Sequence, residues 1–174
     1  VTKLLVFVEE NHSLDGMTAG MPYTASLAER YGYATDYHAI RHPSLPNYLA
    51  MAGGSTYGVA DDALPPAHRL TGRSVFGQAL RNHRTAATYA ESMPVRCGRS
   101  NHGAYAPKHN PAVYYLPLRG SCRRNVEPLG TPSSGALARA LRNGSLASFV
   151  SITPNLCNDT HDCPVATGDA WLSR

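Results

Sequence analysis

Lysine is almost missing from this 174-residue chain: Lys3 and Lys108 are the only two, and the remaining basic residues are arginines. The formal net charge is +4. No lysine-rich helix or basic stripe interleaved with aromatics is present, which argues against nucleic-acid binding. Long apolar runs are missing too. The longest, Leu4-Leu5-Val6-Phe7-Val8, is far too short to span a bilayer. No Cys-x-x-Cys pair occurs, so the four cysteines make a poor zinc site. No Gly-x-Ser-x-Gly elbow occurs, which argues against the serine-esterase arrangement built on one. Internal repeats, low-complexity tracts and dividing linkers are all lacking. Charged residues make up only 16% and hydrophobic residues 43%, the balance of one globular domain with a core.

Strands and helices alternate along the chain. Apolar runs predict strands over 3–9, 33–38, 85–90 and 147–153. Helices are expected over 22–31, opened by Pro22, and over 45–53, stopped by Gly53-Gly54. Further helices are expected over 74–80, capped by Ser74, over 133–143, and from 166 onward. This order argues an α/β fold with a largely parallel sheet sandwiched by helices. Residues 10–21 and 55–72 read as loops. Residues 92–132 hold many Pro, Gly, Asn and Arg residues and read as a long loop, which inside a compact domain usually has a function. Arg96, Arg99, Arg119, Arg123 and Arg124 fall there or nearby, as a solvated surface or as an attractor of anionic substrate.

Cys97, Cys122, Cys157 and Cys163 allow three pairings. Local spacing favours Cys97–Cys122 and Cys157–Cys163, with free thiols as the competing reading. Disulfides would place the protein in an oxidising compartment, as a secreted or cell-envelope protein.

Chemistry-bearing residues gather at predicted strand ends, where open α/β sheets bind ligands. Glu10 and Asn11 close the first strand and offer oxygen ligands suited to a divalent metal. Glu9 alternates to the side opposite Glu10, so only one of the two should face a shared site. Ser44 stands between Pro43 and Pro46 at a predicted helix start. It reads as a nucleophile activated by metal or base and also as a helix N-cap, and both can hold, since a cap position presents backbone donors as well. His161 lies among Asn158, Asp159 and Asp162, bracketed by Cys157 and Cys163. His38, His42 and His102 have weaker claims.

Four ordered blocks carry a resemblance. They are Glu9-Glu10-Asn11-His12-Ser13, His42-Pro43-Ser44-Leu45-Pro46-Asn47-Tyr48-Leu49, Lys108-His109-Asn110-Pro111, and Pro154-Asn155-Leu156-Cys157-Asn158-Asp159-Thr160-His161-Asp162-Cys163. Together they resemble the phosphoesterase family, which groups secreted acid phosphatases with bacterial non-specific phospholipases C inside the alkaline phosphatase superfamily. The resemblance implies an alkaline phosphatase-like fold and metal-dependent phosphoester hydrolysis through a phosphoserine. It implies Glu10, Asn11 and Ser44 at the metal, with Ser44 and His161 catalytic. Lys108, His109 and Asp159 would contact the substrate. The metal could be calcium, zinc, magnesium or manganese. Members of the family add an acidic pair from a later strand, so the fold is expected to be incomplete here. A further C-terminal segment is expected past Arg174 as a partner, leaving Trp171 and Leu172 short of cover. On that expectation the isolated chain is inactive. Two rival readings stand beside this one: a metal-free serine esterase, and a non-catalytic phosphate- or anion-binding piece of the same fold.

Overall fold

The computed structural model describes residues 2–174. Its centre is a four-stranded sheet of β1 (Leu4–Phe7), β2 (Ala86–Ala90), β3 (Val126–Pro128) and β4 (Phe149–Thr153), in the order β1-β4-β2-β3. Every pairing is parallel. Helices α1 (Leu14–Gly20), α2 (Pro22–Tyr31), α3 (Ser44–Gly53), α4 (Val75–Arg81), α5 (Arg119–Asn125), α6 (Ala136–Arg142) and α7 (Val165–Leu172) surround it. The α/β class read from the sequence is therefore the class observed.

The two-residue period of a strand divides the core. Ala86 and Ala90 of β2 face a cluster with Leu45, Leu49, Phe76, Tyr114 and Val126. Phe149 joins that side, edge-on to Phe76 at 5.1 Å. Tyr89, Val150 and Ile152 face the other side, with Leu137 and Trp171. Trp171 is buried, so the expectation that it lacks cover is corrected. Its indole N–H donates to Glu91 Oε1 at 3.1 Å.

Local chemistry explains most helix ends. Ser74 accepts from Gly77 N–H at 3.2 Å, the N-cap its spacing suggested. Gly54 ends α3 at φ +73°, a left-handed position that favours glycine.

Several expectations need correction. Residues 33–38 form no strand and are exposed throughout. The N–H groups of Ile40 and Arg41, just beyond, go to Asn47 Oδ1 at 2.9 and 3.1 Å rather than to a sheet neighbour. Residues 14–20 form α1 instead of a loop, capped by Ser13 on Gly16 N–H. This helix buries no side chain, so it had no apolar period to betray it. Residues 92–132 hold three short 3-10 turns, α5 and β3, and their Tyr105, Tyr114 and Tyr115 are core residues. Both spacing-favoured disulfides, Cys97–Cys122 and Cys157–Cys163, are formed.

One helix start is capped from far away. The N-cap of α2, Met21, offers no side-chain acceptor. Asp169 of α7 supplies it, accepting from Tyr23 N–H, Thr24 N–H and the Thr24 hydroxyl at 2.8–2.9 Å. Burial pushes the Asp169 carboxyl up, but these bonds outweigh it and the net shift is downward. Its stabilisation is therefore complete above the ordinary carboxylate range and is lost as pH falls through the depressed value. Asp169→Ala is expected to cost about 1–3 kcal/mol in urea unfolding at pH 7. That difference should shrink in strong acid; an equal cost at both pH values would show that the charge is not what matters.

Candidate active site

The segments leaving the carboxyl ends of β1 and β4 enter one cleft, as expected for an open α/β sheet. Glu10 follows β1, Glu91 follows β2, and the 157–163 loop follows β4. Glu10 N–H donates to Asp159 O at 2.7 Å, and the Thr160 hydroxyl donates to Glu10 O, which stitches the first strand end to that loop. The Cys157–Cys163 bridge closes the same loop. The cleft encloses about 860 Å³, and its walls include Glu10, Asn11, Ser44, Asp62, Lys108 and His161.

Ser44 is the first residue of α3, after Pro43 at the N-cap. The N-cap reading of this serine is thus corrected: its hydroxyl points out of the helix toward Glu10 Oε2 at 3.4 Å. The N–H next to it, on Leu45, is taken by Asp62 Oδ1 at 2.9 Å. Ser44 has no histidine partner among the described residues, so the geometry does not form the triad of a metal-free esterase.

Glu10 Oε1 is buried and lies in ionic contact with His109 Nε2, though without the alignment of a hydrogen bond. The other ring nitrogen, Nδ1, bonds Asp159 Oδ2 at 2.8 Å. His109 is 2% exposed and Asp159 1%, so both stand behind the cleft wall rather than on it. Tyr48 of α3 stacks on the His109 ring at 4.8 Å. Burial alone would lower the His109 pKa. The bond to Asp159 and the contact with Glu10 outweigh burial, and the net shift is upward. For Glu10, burial raises the carboxyl, but His109, His161 and Lys108 together bring it below its usual value.

Lys108 and His161 form the opposite wall. Lys108 Nζ lies 3.1 Å from Asp62 Oδ2 and 3.2 Å from His161 Nε2. His161 Nδ1 is held by Asp162 Oδ1 at 2.6 Å. Glu9 turns away toward α7, against Gly168, where a Cβ would collide with Thr160, with Asn158 O at 2.9 Å, and with the Glu9 carboxyl itself. Burial, then Asp159, Asp169 and Glu91, push the Glu9 carboxyl up to about 7. Of the lesser histidines, His42 lines the cleft and His38 lines it while pairing with Asp36; His102 bridges to Tyr105 outside it.

Two sets of side chains could receive a metal. Glu10, Asn11 and Ser44 offer oxygen, and Glu10 Oε2, the oxygen turned from His109 toward Ser44, is the one placed to meet a cation in the cleft. Glu10, His109 and His161 also bring one ligand atom each within 4.8 Å of one another. Both histidines have Nδ1 tied to a carboxylate and Nε2 turned inward, the usual support for a metal-binding imidazole. On His161, however, Nε2 already faces the Lys108 ammonium, which a metal would have to displace.

The sequence brought Glu10, Asn11, Ser44, Lys108 and His161 forward, and all five line the cleft. It missed Asp62, Asp162 as a ring anchor, Tyr48 and Asn47. Asp62 carried no signal beyond lying among turn formers. Tyr48 and Asn47 stood inside a quoted motif without an assigned role. The Asp159–His109 bond yields a direct check. In metal-free Asp159→Asn, the His109 ring should titrate at lower pH than in the parent protein, because its charged form loses a carboxylate. Ring-proton NMR reads this, and an unmoved titration would show that Asp159 does not support the imidazole.

The Phosphoesterase family profile matches residues 7–174. A phosphate-repressible acid phosphatase of Penicillium chrysogenum is 33% identical, over 86% of this chain and 37% of its own length. A phosphatidylinositol-3-phosphatase of Mycobacterium tuberculosis is 31% identical, over 98% of this chain and 55% of its own length. An acid phosphatase of Aspergillus fumigatus is 28% identical, over 83% of this chain and 33% of its own length. The chain thus spans between about a third and about half of these curated relatives. The profile runs from the end of the first strand through the cysteine-bracketed loop, taking in every residue of the cleft discussed above, and on this match the chain belongs to the Phosphoesterase family.

Proposed function

We propose that this protein hydrolyses phosphoesters, with a divalent metal, through a phosphoserine on Ser44. The observation that carries this reading is the Ser44 hydroxyl at the start of α3. It faces the Glu10 carboxylate across a cleft whose other wall is Lys108 and His161. Glu10, Asn11 and Ser44 would hold the metal, which when bound would lower the cost of ionising a hydroxyl and neutralise phosphate charge.

Ser44 Oγ passes its proton to Glu10 Oε2, the acceptor it faces, and forms a bond to phosphorus as the bond to the leaving oxygen breaks. Lys108 supplies a fixed positive charge for the phosphoryl oxygens, whose charge must be met in the transition state. Once the phosphoryl oxygens draw the Lys108 ammonium off His161 Nε2, that nitrogen takes up a proton from solvent, delivers it to the leaving oxygen and later takes one from the attacking water, with Nδ1 held on Asp162. Water then displaces phosphate from Ser44. In this scheme His109 and Asp159 contact no substrate. They hold Glu10 in place from behind, replacing the direct substrate role the resemblance implied for them.

The relatives are named as acid phosphatases and a phosphatidylinositol-3-phosphatase, which favours a phosphomonoester over phospholipase C-like chemistry. The two disulfides support an oxidising, extracytoplasmic setting. No described helix is long and apolar enough to cross a membrane. Ser44→Ala in the complete natural protein should lower turnover of a chromogenic phosphomonoester by on the order of a thousandfold or more. Activity within about tenfold of the parent would remove Ser44 from the mechanism.

A further inference from the structure

Lys108 is the cleft's one lysine, and two carboxylates compete for it. Glu10 lines the same cleft, with a carboxylate oxygen within 4.8 Å of a ring nitrogen of His161, the residue Lys108 touches. Asp62 holds the ammonium directly, at 3.1 Å. The Lys108 and Asp62 side chains are 19% and 29% exposed, so the pair is shielded more than a surface salt bridge. The second oxygen of Asp62 accepts the Leu45 N–H, one residue past Ser44. One carboxylate therefore ties the cation to the first turn of the nucleophile's helix.

The loop that presents Asp62 is itself anchored. Asp61 accepts from Ala63 N–H at 3.0 Å and pairs with His68. Adjacent acids thus divide the work: one closes the loop, and the other reaches into the cleft. A lysine stem is flexible and its ammonium is a point charge, so its position depends on what holds it. Without Asp62, Glu10 is the cleft-lining carboxylate that faces Ser44 and is left to attract the ammonium. Lys108 settling there would neutralise the carboxylate needed beside Ser44 and would leave His161.

We propose that Asp62 is a positioning residue that keeps Lys108 on the phosphate side of the cleft, against His161 and away from Glu10. This inference rests on the phosphoesterase reading and deepens it. It separates two duties of Asp62: holding Lys108, which needs the charge, and capping Leu45, which needs only an acceptor.

A double-mutant cycle on the complete protein tests it, with inorganic phosphate affinity by competition and phosphomonoester kinetics as readouts. Asp62→Asn keeps an acceptor for Leu45 N–H and removes the charge. It should weaken phosphate binding about tenfold, the scale for losing a supporting partner. In a Lys108→Met background the same change should do nothing further, because the residue it positions is gone. Equal losses in both backgrounds would overturn the proposal, as would a normal Asp62→Asn beside a damaged Asp62→Ala, since that pattern describes a cap alone. Circular dichroism checks that each variant folds. If Asp62→Asn does not, Asp62→Ser, which also keeps an acceptor and removes the charge, replaces it, with a loss expected beside Lys108 and none in the Lys108→Met background. A parent protein that neither binds phosphate nor hydrolyses phosphoesters would remove the functional reading and this inference with it. An active parent with an additive cycle would remove only the role of Asp62.

Discussion

The His109 imidazole, enclosed between Glu10 and Asp159, is the contact on which the site depends. Four segments meet on this ring. The end of β1 brings Glu10, the 107–109 turn brings the ring, the 157–163 loop brings Asp159, and α3 lays Tyr48 flat against it. The two carboxylates would repel each other in so dry a place, and the upward shift of His109 shows what compensates them. Removing one member of a buried charged set typically costs about 3–5 kcal/mol, because the others are left unpaired. The same set orients Glu10 so that one oxygen faces the ring and the other faces Ser44. Structural stability and site geometry are thus held by the same contacts.

Behind this set lies a third carboxylate with a purely supporting part. Glu91, just past β2, accepts from Asn155 N–H, Asn158 Nδ2 and Trp171 Nε1. It anchors the 154–163 segment to the sheet and α7 to both. Asp169 then passes that order on to α2. Burial first, and then this acidic neighbourhood, push the Glu9 carboxyl up to about 7, while that of Glu10, facing cations, falls. Two neighbouring glutamates take opposite shifts because strand alternation turns them to opposite environments.

That alternation was legible in the chain itself, and so was much of the architecture. The strands at 85–90 and 147–153 and the helix after Pro43 were carried by short apolar runs with clear stops, and local signals suffice where the structure is locally determined. The failures share a cause. Residues 33–38 had an aromatic, strand-like run, but no sheet edge receives them, and Asn47 ties the chain just beyond to α3 instead. The 92–132 segment read as a loop because its order comes from buried tyrosines and a disulfide, not from a period. Ser44, Lys108 and His161 could be named because they stand in compact motifs. Asp62 could not, since its meaning lies in contacts to Leu45 and Lys108 that only folding creates.

The central claim is that Ser44 itself takes the phosphoryl group. Trapping tests it most directly. The complete protein is mixed with substrate, quenched in acid within a turnover, digested, and the peptide holding His42-Pro43-Ser44-Leu45-Pro46 is sequenced by mass spectrometry. The account predicts one phosphoryl group on Ser44, at a level that rises when turnover is slowed. A phosphoryl group on His161 or His109 instead, or an unmodified Ser44 in protein that is turning over, would contradict it.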